Sequence, residues 1–121
     1  MDDYRPLTLA ECSRLALELK DRLEPASAEL NERYGIELEA YARLSVLGVQ
    51  LRQARAARGL SLDEAAASLA LEPHALKSVE NLSPKLSHSV LLAYVDWLGL
   101  SDWFAAWGRQ NPDLIEALSL V

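Results

Sequence analysis

The residues best suited to chemistry lie in one short stretch, LALEPHALKSVENLSPK, residues 69–85. His74, Lys77, Ser78 and Asn81 recur at i, i+3, i+4 and i+7, which places side chains on one face of a helix. Their types suit base edges in a DNA groove. An asparagine amide pairs bidentately with adenine, and an ammonium reaches guanine or a phosphate. Arg52, Arg55 and Arg58 follow at three-residue spacing. They could hold phosphates, or they could pair with internal acids. Lys85 and Ser87 precede an apolar helical run, where a helix N-terminus favours anions. Arg58, Lys85 and Ser87 therefore join the four groove candidates as expected backbone contacts.

Other chemistries find less support. Cys12, His74 and His88 are scattered without ligand spacing, so no metal centre or other cofactor is expected. Asp63, Glu64 and Glu72 have no nucleophile to serve, and no glycine-rich phosphate loop is present, so no enzyme is expected. Trp103, Phe104 and Trp107, with Leu114 and Leu118, form an aromatic and aliphatic set near the end of the chain. Such a set either packs in the core or forms the centre of a dimer or partner interface.

The elements that position these residues read as helices. Ala, Leu, Glu and Arg dominate the 121 residues, Gly and Pro number five each, and no window alternates with period two. Thr8 with Glu11, and Ser61 with Glu64, have the spacing of capping boxes. A stripe of Leu9, Cys12, Ala16, Leu19 and Leu23 follows the first box, and Glu24-Pro25 should end it. Leu30, Tyr34, Leu38 and Tyr41 suggest further helix interrupted by Gly35, either as two helices or as one weakened helix, and another helix is expected from Leu47 to Arg58. Pro73 should open the helix that carries the groove candidates. Ser87, Ser101 and Asn111 are expected caps for three more helices, with Gly59, Gly99 and Gly108 as stops.

Charge sets the limits on partners. The net charge is −6. Residues 1–45 carry ten acids and six bases, residues 46–86 four acids and five bases, and residues 87–121 four acids and one base. Only the middle third is not acidic, which supports a local nucleic-acid face and argues against strong nonspecific DNA affinity. No apolar run is long enough to span a bilayer, the MDDYRP start lacks the basic character of a signal peptide, and a cytoplasmic protein is expected.

The stretch LGVQLRQARAARGLSLDEAA, residues 47–66, resembles the opening of the Xre/Cro-type, lambda-repressor-like helix-turn-helix regulators. Leu47, Gly48, Leu51, Arg52, Arg55, Gly59, Leu60 and Ser61 match its leader, and Glu80, Leu91, Tyr94, Leu98 and Gly99 fall at family positions. Ala65, Ala66, Leu69, Leu71, Leu76 and Val79 fill the six inward positions of a two-helix motif. Leu62, Ala70, Asn81 and Leu82 depart from the family, and no arginine lies in residues 73–82. Residues 59–81 are also similar to the helix-turn-helix domain of RodZ-type proteins, where the scaffold binds a cytoskeletal protein.

The resemblance implies an all-α chain in three parts. These are an acidic helical extension at 1–45, an Xre/Cro-like domain at 46–108 and a C-terminal helix at 109–121. It implies a sequence-specific DNA-binding regulator, a repressor acting as a homodimer on double-stranded DNA. The acidic extension suggests a protein partner, as in an antitoxin that represses its own operon. The alternative expectation is an adaptor that keeps the scaffold and binds protein instead of DNA.

Overall fold

The computed structural model describes residues 5–35, 37–82 and 86–117, and among them every regular element is helical. The helices are α1 (Leu9–Leu23), α2 (Ser27–Tyr34), α3 (Leu38–Ala57), α4 (Leu62–Ser68), α5 (Pro73–Glu80), α6 (His88–Trp97), α7 (Ser101–Gln110) and α8 (Pro112–Ala117). A 3-10 turn, Glu24–Ala26, joins α1 to α2.

Local chemistry sets most of the ends. Thr8 Oγ1 accepts the Glu11 amide at 3.1 Å, and the Glu11 carboxylate accepts the Thr8 amide at 2.9 Å. Ser61 and Glu64 repeat this exchange at 3.1 and 2.8 Å. Each box satisfies amides that a helix start leaves without partners. Ser87 Oγ accepts the Val90 amide at 3.3 Å and caps α6.

Some ends differ from expectation. Glu24 keeps a helical backbone ahead of Pro25, so the chain continues through the 3-10 turn instead of breaking away. Ser101 does not cap α7; its hydroxyl donates to the Asp96 carboxylate at 3.3 Å. Helix α7 runs through Gly108 to Gln110. The Asn111 side chain donates to the Trp107 carbonyl and accepts from Arg43, each at 2.8 Å.

The largest difference is α3. One helix of 20 residues replaces the separate stretches expected before and after residue 45. The boundary drawn there therefore falls inside a continuous helix. Tyr41, Ala42, Leu44, Val46, Leu47, Gly48, Gln50, Leu51 and Ala54 are buried along α3, with no exposed residue from Tyr41 to Leu51, while Arg52, Gln53, Ala56 and Ala57 leave its last turns an exposed face. A helix buried all round over its middle is a central element. Helix α1 packs along it through Cys12 and Ala16, and α5 packs on it through Leu76 and Val79. A single core joins Cys12 of α1, Leu51 of α3, Leu76 of α5, Tyr94 of α6, Trp107 of α7 and Leu114 of α8.

The N-terminal segment is pinned from two directions. The Leu7 amide donates to Gln50 Oε1 at 2.7 Å, and the Leu7 carbonyl accepts the Trp103 indole at 2.8 Å. No helix of the described residues is long and apolar enough to cross a membrane.

Candidate nucleic-acid interface

Helices α4 and α5 meet through small side chains. Ala65 and Ala66 are fully buried, as are Leu76 and Val79, while Leu69 and Leu71 in the turn are half-buried. The turn closes when the Leu71 amide donates to the Ala66 carbonyl at 2.9 Å. This places Ala70 in the left-handed region, at φ 57°. That conformation is costly for a residue with a Cβ and natural for glycine.

Glu80 fixes the far end of α5. Its carboxylate, 4% exposed, accepts Arg55 Nε at 2.8 Å and Nη2 at 3.0 Å. The Tyr94 hydroxyl donates to the same carboxylate at 2.6 Å. The Glu80 backbone carbonyl accepts Arg52 Nη1 at 2.9 Å. One residue thus ties α5 to α3 and α6. The hydrogen bond to Glu80 pushes the Arg55 guanidinium up from its ordinary value. Burial, then the Glu80 contact, pushes the Tyr94 phenol up. Both shifts keep the protons in place through the physiological range.

Close approach of backbones makes this tie possible. A Cβ added at Gly48 would lie 2.5 Å from the Glu80 carbonyl oxygen. The glycine in α3 is therefore a contact surface for the end of α5. Arg55 also donates to the Leu60 carbonyl at 3.1 Å, linking the α3–α4 connection to the cluster.

With its inner side held, α5 turns His74, Lys77 and Asn81 outward, and Ser78 is half-buried beside them. Neither the His74 nor the Lys77 side chain has a hydrogen-bond or ion-pair partner among the described residues. Arg58 lies over the Trp97 ring, 4.7 Å from its centroid, at the C-terminal end of α6. Ser87 begins that ten-residue helix, which is ~15 Å long, so the two expected phosphate contacts sit at opposite ends of it. Lys85 lies outside the described residues.

The aromatic set is corrected by burial. Trp107 and Leu114 are each 1% exposed and belong to the core of the single chain, so neither can face a partner. Trp103 stacks on Trp107 at 6.1 Å and pins Leu7, and half-buried Phe104 stacks on Trp107 at 5.9 Å. Leu118 lies outside the described residues. Gln50, which reaches across to Leu7, carried no sequence signal beyond being a polar residue in an apolar helix. No family model, curated protein or solved structure matches this chain.

Proposed function

We propose that the chain is a DNA-binding transcriptional regulator with a helix-turn-helix of the Xre/Cro type, acting as a repressor. The observation that carries this reading is the contrast between the two sides of α5. Its inner side is clamped through Glu80, and its outer side presents the His74 and Lys77 side chains, without partners among the described residues, beside exposed Asn81. A rigid element with a free polar face suits reading of base edges, because the side chains need little further ordering on binding.

In this reading α4 and α5 form the two-helix motif and α5 enters the major groove. Lys77 and Asn81 contact bases, while Arg58, Lys85 and Ser87 contact phosphates. A symmetric pair of chains would place two α5 helices about one turn of DNA apart. Trp103, Phe104 and Leu118 remain the pairing candidates of the aromatic set.

The test is titration of random-sequence and genomic duplex DNA by fluorescence anisotropy across a salt series. With Arg58 and Lys85 as the cationic phosphate contacts, log K should fall against log salt with a slope of roughly −2 per chain, or about −4 for a pair. Lys77→Ala with Asn81→Ala should cost roughly 1–3 kcal/mol per base contact. Folded protein that binds no DNA at ~50 mM salt refutes the reading.

One observation favours a second reading, a protein-binding adaptor on the same scaffold. Arg52 and Arg55 are engaged by Glu80 and Arg58 by Trp97, so α3 turns little free positive charge toward a phosphate backbone. Silence in the same titration, by folded dimeric protein, selects this reading.

A further inference from the structure

Helix α7 carries opposite charges near its two ends. Asp102 lies in its first turn and Arg109 in its last. At i and i+7 they share one face, about 10 Å apart along the axis. Both are exposed, with exposed Ala105 and half-buried Ala106 between them. Neither the Asp102 nor the Arg109 side chain has a hydrogen-bond or ion-pair partner among the described residues. Asp113 on α8, by contrast, is held by Arg43 at 2.7 Å.

An apolar groove of about 330 Å³ borders this face, between α7 and α8. Phe104, Ala105, Gly108, Pro112 and Ile115 line it beside Arg109. Ala105 and Pro112 are exposed and the other three half-buried, so the groove offers surface to a partner.

We propose that this face pairs with the same face of a second copy, the two α7 helices running antiparallel across a two-fold axis. In an antiparallel pair centred between Ala105 and Ala106, residue 102 of each copy lies opposite residue 109 of the other. The face is therefore complementary to itself, and the symmetry makes the Asp102–Arg109 ion pair twice. Parallel pairing would set acid against acid and base against base. The alanines at the crossing point let the helices approach closely, since interaxial distance follows side-chain size. Among the described residues of α7 and α8, Glu116 is the other charged side chain without a partner. Glu116 and the net charge of −6 repel a second copy at long range. Salt at ~0.15 M screens that repulsion beyond ~8 Å and weakens the pairs in contact less. Two short helices make a small interface, so the dissociation constant should be roughly 10–100 µM. The inference rests on the homodimer of the reading above and not on its DNA contacts.

Sedimentation equilibrium of the full chain at ~0.15 M salt, without DNA, is the test. The parent should pass from monomer to dimer as its concentration rises through that range. Asp102→Arg alone, or Arg109→Asp alone, turns two attractions into two repulsions and should weaken the dimer roughly thirtyfold. Both positions are exposed, so circular dichroism of each variant should match the parent. An equal mixture of the two variants should recover the parent affinity, because their heterodimer again sets opposite charges at both contacts. The proposal is overturned by a parent that stays monomeric to about 0.5 mM, by single variants that dimerise as the parent does, or by a mixture that pairs no better than its components. DNA binding is read in its own titration, so failure of the pairing and failure of the DNA reading are told apart.

Discussion

Replacing Gly48 by alanine tests the contact that seats α5, because two effects of opposite sign compete there. In a helix interior, alanine is favoured over glycine by about 0.8–1 kcal/mol. If Gly48 were merely a tolerated residue in α3, Gly48→Ala would stabilise the protein by that amount. The structure puts the new Cβ 2.5 Å from the Glu80 carbonyl oxygen. Carbon and oxygen tolerate ~3.3 Å, so α5 or α3 must retreat by most of an ångström. The carbonyl cannot swing aside, since Arg52 grips it at 2.9 Å while Arg55 and Tyr94 hold the side chain. Overpacking of this kind costs roughly 1–3 kcal/mol, and stretching the Arg52 bond adds to it. The net expectation is a loss of about 1–2 kcal/mol after the propensity gain. Urea unfolding followed by tryptophan fluorescence measures it, with m unchanged if stability alone has shifted. In a thermal melt the same loss lowers Tm by roughly 3–6 °C per kcal/mol at this chain length. Gly108→Ala is the matched control. Its Cβ would meet only the Ile115 side chain, at 3.2 and 3.3 Å, and a side chain can yield. It should lie near neutrality. A Gly48→Ala protein as stable as the parent, or more so, refutes the argument that α3 and α5 meet through this glycine.

Three further outcomes follow from the same geometry. Ala70→Gly should raise stability by about 0.5–1 kcal/mol in urea unfolding, because it relieves the left-handed strain at φ 57°. Tyr94→Phe should lower stability by roughly 1.5–3 kcal/mol, since it removes a hydrogen bond to a buried carboxylate and leaves the ring in place; an unchanged midpoint would dismiss the Glu80 cluster as a stabilising unit. Acid should weaken the fold. The hydrogen bond from Arg5, then the Thr8 amide, takes the Glu11 carboxyl from 4.5 to about 2. The Arg43 hydrogen bond lowers Asp113, and the Ser61 amide lowers Glu64. Depressed carboxylates contribute stability above their unfolded pKa and lose it as pH falls through the folded value. Urea midpoints should therefore hold above roughly pH 5 and decline toward about pH 2, with a shallower decline in Glu11→Gln.

Local chemistry was legible from residue order because its partners are three or four positions apart. The boxes at Thr8–Glu11 and Ser61–Glu64, the cap at Ser87 and the opening prolines all form within one helical turn. The two-helix motif pattern likewise marked Ala65, Ala66, Leu69, Leu71, Leu76 and Val79 as inward, and of these Ala65, Ala66, Leu76 and Val79 are buried while Leu69 and Leu71 are half-buried. The same pattern leaves His74, Lys77 and Asn81 outward.

Pairing between distant residues was another matter. An arginine at position 55 has the same neighbours in sequence whether it meets a phosphate or Glu80, 25 residues away. Trp107 and Leu114 have an equally apolar setting in a core and at an interface, and only the assembled core of the folded chain buried them. Continuity of α3 through residue 45 overrode a charge shift, because helices on both sides needed the same central surface. Gln50 and Trp103 converge on Leu7 from 43 and 96 residues away. The amino-acid order determined which faces are apolar and where helices start. Tertiary packing decided which charges are consumed inside, which aromatics stay at the surface, and where a cleft remains open, because those depend on helix axes meeting at particular angles and depths.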